Sequence, residues 1–163
     1  MNDLKQKILT IMEKNSKVSV ADLAILLGDT EENVARAIYE MEQDKIICGY
    51  HTLINWNKVN NEKVIAMIEV RVTPQRGQGF DKIAERIYNF SEVNAVYLIS
   101  GGYDLLVSIE GKSLLEISKF VSSKLSTIDN VISTATHFVL KKYKDHGTIM
   151  ANKNKSERML VTP

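Results

Sequence analysis

The stretch from Val93 to Glu110 constrains the fold of this chain more than any other. Two apolar, β-branched runs, 93–99 and 105–109, flank the sequence Ser-Gly-Gly-Tyr-Asp at 100–104. Such runs around glycines are typical of a β-hairpin, because glycine adopts the positive φ angles that tight turns require. Asp104 opens the second strand, where turn chemistry alone accounts for a carboxylate. We therefore predict a hairpin in which Asp104 either satisfies the turn or faces a ligand.

The segments around this hairpin predict an α+β domain. A strand at 64–72 and a helix at about 80–90 precede it, and a helix capped by Ser113 and a strand at 131–140 follow. Right-handed crossovers fold the order β-α-β-β-α-β into a four-stranded antiparallel sheet with both helices on one face, the ferredoxin-like arrangement. The residues expected to face inward from the two helices are apolar at helical spacing: Phe80, Ile83, Ala84, Ile87 and Phe90, then Leu114, Ile117, Val121 and Leu125.

The sheet face away from these helices is predicted to be apolar as well. Ile65 and Met67 in the first strand and Leu106 in the third point to that side. Burying each aliphatic side chain is worth about 1.5–3 kcal/mol relative to exposure. We therefore expect a second sheet to cover this face, and a homodimer packed sheet on sheet provides one.

Three short amphipathic helices are predicted in the first 50 residues. Ser19 and Thr30 are placed to cap the second and third helices, and Gly28 ends the second. Because only the turn at 28–29 separates the last two helices, they form a helix-turn-helix. The residues expected to face inward are Leu4, Ile8, Ile11, Met12, Val20, Leu23, Ala24, Leu27, Val34, Ala37, Ile38 and Met41.

The segment after the third helix is interpreted as a link between two domains. A strand and turn at 45–50 and a second strand at 51–56 are predicted as a wing or connecting ribbon, and the polar stretch 57–63 follows. We expect a winged helix-turn-helix domain at 1–50, a linking strand and hinge at 51–63, and the ferredoxin-like domain at 64–163. Within the last of these, 141–155 is predicted as loop and 158–161 as a short added strand.

Charge in the first domain disfavours tight DNA binding. Residues 1–50 contain six Lys and Arg against nine Asp and Glu, a net charge of −3, whereas DNA affinity comes mostly from phosphate neutralisation. The third helix begins with acidic residues, which suit a helix N-terminus but repel phosphates. Thr30, Asn33 and Arg36 are the residues there that we expect to donate hydrogen bonds toward DNA.

The chain carries little sign of catalysis. His51, His137 and His146 lack metal-ligand spacing, and Cys48 is the single cysteine. We expect no catalytic residue, no metal site and no cofactor. The lone cysteine predicts a cytoplasmic setting, and the absence of a signal-peptide core and of a membrane-length apolar run predicts no membrane association.

The predicted architecture resembles the Lrp/AsnC (feast/famine) family of regulators. Ser100–Val107, SGGYDLLV, is similar to the family's S-G-x-[YF]-D turn, and Ile128–Lys144 is similar to its segment around T-x-T-x-x-V-L-K. In the first half, Val18–Gly28 and Asp44–Asn55 are similar to the family's second helix and its E-x-G-V-I-x-G-Y segment. The chain has Asp29-Thr30 where the family usually has Leu-Ser, Ala37 where it has Arg, and Asp129-Asn130 where it has Pro-Gly.

The resemblance implies a sequence-specific DNA-binding transcriptional regulator whose assembly or DNA binding responds to a small molecule, with an amino acid expected. It implies homodimers that assemble into an octamer, with the effector in a cleft between dimers. A carboxylate suits the ammonium of an amino acid, and hydroxyls and turn N–H groups suit its carboxylate. Carried over by position, the effector-binding residues are Gly102, Tyr103, Asp104, Thr134, Thr136 and His137.

One alternative remains open at this point. An Lrp-like enzyme or sensor, for example a haem-pathway decarboxylase with little DNA binding, is built on the same two-domain body. The scattered histidines argue against it.

Overall fold

The computed structural model describes residues 2–59, 63–74 and 79–150, which fall into two units, residues 1–53 and 54–163. The first unit has three helices: α1 (Asp3–Met12), α2 (Val20–Leu27) and α3 (Glu31–Gln43). The Ser19 and Thr30 side chains accept hydrogen bonds from the N–H groups of Asp22 and Asn33, and Gly28 ends α2 at a φ of 66°. The predicted helix-turn-helix is confirmed. Its buried core consists of Ile8, Leu23, Ala24, Val34, Ala37 and Met41.

The second unit is a sheet covered by helices on one face. Its main elements are β1 (Val64–Val72), α4 (Asp81–Tyr88), β2 (Val93–Leu98), β3 (Leu105–Gly111), α5 (Leu114–Phe120) and β4 (Val131–Phe138). The strand order is β2-β3-β1-β4, and every neighbouring pair is antiparallel. This is the predicted ferredoxin-like topology.

The core of this unit lies between the sheet and the helices. Alternate residues of β1 and β3 are buried there against Ile83, Ile87 and Ile117, since successive side chains of a strand point to opposite faces. Phe90 and Phe120 meet edge to face, with ring centroids 5.4 Å apart. Within the described residues, no helix is long and apolar enough to cross a membrane.

The strands predicted at 45–50 and 51–56 are not formed. The N–H groups of Ile46 and Ile47 both donate to the carbonyl oxygen of Met41, at 2.9 and 3.0 Å, which folds this segment back onto the end of α3. A short 3₁₀ turn, Trp56–Lys58, follows. A strand requires a hydrogen-bonded neighbour, and none of the described residues of this chain pairs with 45–56.

Two further predictions in the second unit are wrong in detail. Leu114 was predicted to face inward from the helix after Ser113 but is 56% exposed at its first turn, whereas Phe120 is buried. The helix continues beyond α5 as a π-helical turn, Val121–Leu125. The stretch predicted as loop from 141 contains a small hairpin of β5 (Lys144–Asp145) and β6 (Thr148–Ile149). The strand predicted at 158–161 lies outside the described residues.

Candidate DNA-binding helix and effector site

The three predicted DNA-binding residues lie together at the start of α3. Thr30 caps the helix through a hydrogen bond from the Asn33 N–H at 3.2 Å. The Arg36 guanidinium donates to Asn33 Oδ1 at 2.6 Å, and Asn33 Nδ2 donates to Asp29 Oδ1 at 2.8 Å. Arg36 and Thr30 are exposed and Asn33 is half-buried. Arg and Asn are side chains that can read base edges in a major groove, so this arrangement holds two such donors in a defined orientation.

Acidic groups surround these donors. The hydrogen bond from Asn33, then that from the backbone of Thr30, and the nearby charge of Arg36 lower the pKa of Asp29, so this carboxylate is ionised at neutral pH. Glu31 and Glu32 in the first helical turn are exposed. The expectation of an acidic start to α3 therefore holds in the structure, and Arg36 faces a local negative field.

Tyr39, one turn beyond Arg36 on α3, was not among the predicted residues. It is 61% exposed, and its hydroxyl can donate or accept a hydrogen bond. Its spacing of three residues from Arg36 places the two on one helix face, and that spacing is the signal in the sequence that could have identified it.

The hairpin turn is held to β1 by Asp104. The Asp104 N–H donates to the Val70 carbonyl oxygen at 3.1 Å, and the Asp104 carbonyl oxygen accepts from the Ile99 N–H at 2.8 Å. One carboxylate oxygen accepts from the Val72 N–H at 2.8 Å. β3 begins only at Leu105. In a longer strand a backbone carbonyl oxygen would accept the hydrogen bond from the Val72 N–H, and here the Asp104 carboxylate accepts it.

The turn does not use the positive φ that glycine was expected to provide. Neither Gly101 nor Gly102 has a positive φ. The loop between the strands spans six residues, 99–104, which is long enough to reverse direction without the strained conformation of a two-residue turn. A Cβ added to Gly102 would meet no atom within 4 Å, so the space beside this residue is open.

The pairing of β1 decides where the predicted effector residues lie. Val70 pairs with Leu105 on one side and with Thr134 on the other, so Asp104 and Thr134 share one end of the sheet. The Thr134 hydroxyl lies 3.3 Å from the Ser126 hydroxyl, a partner that no sequence pattern predicted. Thr136 pairs with Ile68 and therefore also points to the helix-covered face.

His137 lies on the other face of the sheet. It pairs with Met67 on the helix-free side, and its Nε2 is 3.3 Å from a carboxylate oxygen of Glu69. The structure thus brings the hairpin turn and Thr134 to one end of the sheet and separates His137 from them. Within the described residues, no group of three or more His, Cys, Asp or Glu side chains is arranged to hold a metal ion.

The helix-free face carries apolar and polar side chains together. Ile65, Met67 and Leu106 are half-buried there, on the side of the sheet away from α4 and α5, as the alternation predicts. Tyr97, which pairs with Leu106 from the edge strand β2, is 53% exposed.

The comparisons with known proteins agree with this architecture. Residues 65–149 match the model of the Lrp/AsnC ligand binding domain. The HTH-type transcriptional regulator YugG of Bacillus subtilis (strain 168) is 45% identical over 164 residues, spanning 100% of this chain and 99% of the relative. The HTH-type transcriptional regulator LrpA of Pyrococcus abyssi (strain GE5 / Orsay) is 26% identical, over 88% of this chain and 100% of the relative.

Solved structures show the same fold. An AsnC family transcriptional regulator from Agrobacterium tumefaciens is 27% identical with a TM-score of 0.68, covering 89% of this chain and 94% of that chain. A transcriptional regulator from Neisseria meningitidis, solved in complex with L-Met, is 21% identical with a TM-score of 0.70, covering 91% and 96%. The sequence match over both halves, together with the helix-turn-helix and the ferredoxin-like unit, establishes that this chain belongs to the Lrp/AsnC family of transcriptional regulators.

Proposed function

We propose that this regulator binds double-stranded DNA through the start of α3, with Thr30, Asn33 and Arg36 toward the duplex. The observation that supports the proposal most directly is the exposed Arg36, which the hydrogen bond to Asn33 orients on the surface of the second helix of a helix-turn-helix. Because linked recognition helices raise apparent affinity without new contacts, an oligomer compensates for weak binding by each unit.

Arg36→Ala tests this assignment. A bidentate base contact is worth about 1–3 kcal/mol of discrimination, so we expect a loss of about 5- to 150-fold per occupied site, multiplied on a multi-site operator. Lys14→Ala, which also removes one exposed cation from the first unit, is the matched control. Operator affinity is measured by fluorescence anisotropy at moderate salt. Unchanged binding by Arg36→Ala would show that DNA is read by a different face.

The effector proposed for this chain is an amino acid bound at the hairpin end of the second unit. The structural relative solved with L-Met supports this class of ligand. The proposed residues are Gly102, Tyr103, Asp104, Thr134, Thr136 and His137. Since His137 points to the opposite face, we place the centre of the site at the turn and Thr134. Calorimetric titration with pooled amino acids tests for binding, and the absence of heat from any pool would argue against this class of effector.

The proposed assembly is a homodimer packed through the helix-free sheet face, with dimers forming an octamer. The half-buried Ile65, Met67 and Leu106 on that face support it. Sedimentation equilibrium at micromolar concentration measures the state directly. Leu106→Glu is expected to shift the protein toward monomer, and Leu98→Glu, an exposed residue of the helix-covered side, serves as the control. A monomeric wild type would contradict both the dimer and any effector cleft between dimers.

We further propose that the protein is not an enzyme and acts in the cytoplasm. Its relatives carry the names of transcriptional regulators. His137 and His146 each lie beside a separate carboxylate, that of Glu69 and that of Asp145. The two histidines therefore do not share one catalytic site. A tetrapyrrole absorbance band in the purified protein would favour the decarboxylase-like alternative instead.

A further inference from the structure

The two units of this regulator differ in the sign of their charge. Residues 1–53 have six Lys and Arg against nine Asp and Glu, a net −3, whereas residues 54–163 have fifteen against eleven, a net +4. In the first unit, Lys5 pairs with Glu40 at 2.8 Å and Lys7 with Asp3 at 2.6 Å. Phosphate neutralisation by Lys and Arg supplies most of the sequence-independent part of DNA affinity. The unit with the helix-turn-helix is therefore poorly suited to supply it.

Lysines of the second unit gather where its chain begins. A pocket of about 110 Å³ is lined there by Asn55, Trp56, Lys63, Lys141 and Lys142, among others. The Asn55 amide donates to the Met150 carbonyl oxygen at 3.2 Å, which ties the start of the unit to the segment after β6. The Val139 N–H donates to the Ile65 carbonyl oxygen at 2.9 Å, which fixes the chain just before Lys141.

The charges of this surface are positive on balance. We define the basic end as Lys63, Lys141, Lys142 and Lys144, all of which are exposed. Among the described residues, two carboxylates pair with it: Glu110 with Lys63 and Asp145 with Lys142. Four ammonium groups against two carboxylates leave an excess of two positive charges.

Aromatic side chains are interleaved with these lysines. The Lys63 ammonium lies 4.6 Å from the Trp56 ring centroid, and the Lys141 ammonium lies 5.0 Å from that of Tyr143. Neither Lys141 nor Lys144 forms an ion pair with the described residues. Both are therefore available to an anionic partner.

We propose that the basic end of the second unit binds the phosphate backbone of double-stranded DNA and supplies electrostatic affinity that the acidic helix-turn-helix unit lacks. The inference rests on DNA binding by this chain and adds a second contact surface to it. A duplex fits the surface because several exposed lysines follow one another along the segment 141–144, as an extended polyanion requires. Phosphate contacts of this kind position a protein on DNA without reading its sequence.

The test is the salt dependence of DNA binding by full-length protein in which Lys141, Lys142 and Lys144 are replaced by Gln. Each lost phosphate contact lowers the slope of log K against log salt by about 0.9, so we expect a decrease of about 2–3 per bound subunit. The weakening should be of similar size on an operator and on a scrambled duplex. The same three positions replaced by Arg should retain the wild-type slope.

A matched control separates the effect of where the replaced lysines lie from the effect of lowering the net charge of the protein. It replaces three exposed lysines of the helix layer and its adjoining loop by Gln: Lys82, Lys112 and Lys119. We expect this control to keep the slope of the wild type. Circular dichroism and sedimentation accompany each variant to show that fold and assembly are retained.

Four outcomes would overturn the inference. An unchanged slope in the Gln variant, or an equal decrease in the control, would remove the basic end as a specific DNA contact. A change of oligomeric state in the Gln variant, with no change in the Arg variant, would assign these lysines to contact with a second copy of the chain. No salt-dependent DNA binding by the wild type would instead refute DNA as the partner itself, an outcome distinct from the first two.

Discussion

Replacing Asp104 separates two roles that its position allows. The carboxylate accepts a hydrogen bond from the Val72 N–H at 2.8 Å, and in the proposed effector site it also binds the ammonium group of an amino acid. Asp104→Ala removes both the acceptor and the charge. Asp104→Asn removes the charge but retains an oxygen that can accept from the same N–H.

The magnitude follows from the burial of Val72, which is 4% exposed. A buried N–H without an acceptor costs about 1–3 kcal/mol, and each kcal/mol shifts the melting temperature of a chain of this size by about 2–4 °C. We therefore expect Asp104→Ala to melt about 2–12 °C below the wild type. Asp104→Asn loses only the charge assistance of the hydrogen bond and should lose no more than about half as much.

Effector affinity gives the second readout. Truncating one partner of a buried charged contact costs about 2–5 kcal/mol, so Asp104→Asn should bind the effector about 30-fold to several thousand-fold more weakly. Thermal melting by circular dichroism and calorimetric titration with pooled amino acids measure the two effects on the same samples. Equal affinities of wild type and Asp104→Asn would remove Asp104 from the effector site. A melting temperature of Asp104→Ala equal to that of the wild type would refute the structural role.

Four other substitutions test the fold. Gly28→Ala should lower the free energy of unfolding by about 1–2 kcal/mol through the left-handed backbone conformation alone, because an added Cβ would meet nothing within 4 Å. Gly102→Ala should leave the melting temperature unchanged. Ile68→Ala should lower the free energy of unfolding in urea by about 2–5 kcal/mol, because Ile68 is fully buried under the helices. The hydrogen bond from Lys5 lowers the pKa of Glu40 from 4.5. The stability that this ion pair contributes to the fold is therefore present above about pH 4.5 and is lost as the pH falls through the lowered pKa. Glu40→Gln should therefore melt below the wild type at pH 7, and the difference should disappear in acid, whereas a difference that persists in acid would contradict the assignment.

Local rules in the sequence determined the elements of this protein. Alternating apolar residues predicted β1 at 64–72, the bounds that the structure has. Ser19, Thr30 and Ser113 were predicted as helix caps, and each accepts a hydrogen bond from an N–H of the first turn. Hydrophobic periodicity and helix capping depend on residues within one turn or one strand, so the sequence contains that information directly.

From the sequence, the side chains of a strand could be predicted only to alternate between the two faces of the sheet. The effector residues of β4 were grouped because the resemblance to the Lrp/AsnC family carried them over by position. The pairing of β1 with β4 then placed Thr134 and Thr136 on the helix-covered face and His137 on the other. The face that each residue occupies depends on the strand beside it, which lies more than 60 residues away in the chain.

Segments that need a distant partner were the ones that the sequence left undetermined. The run 45–56 has the composition of a strand, but its first N–H groups bond to the end of α3, and none of the described residues pairs with it. Asp104 shows the converse, since a turn residue acquires a structural role from the Val72 N–H, 32 positions earlier. The sequence by itself determined the helices α1–α5, the strands β1–β4 of the main sheet and their order, through local periodicity and capping. The tertiary structure decided which polar groups share a site, because those contacts form only when the sheet assembles.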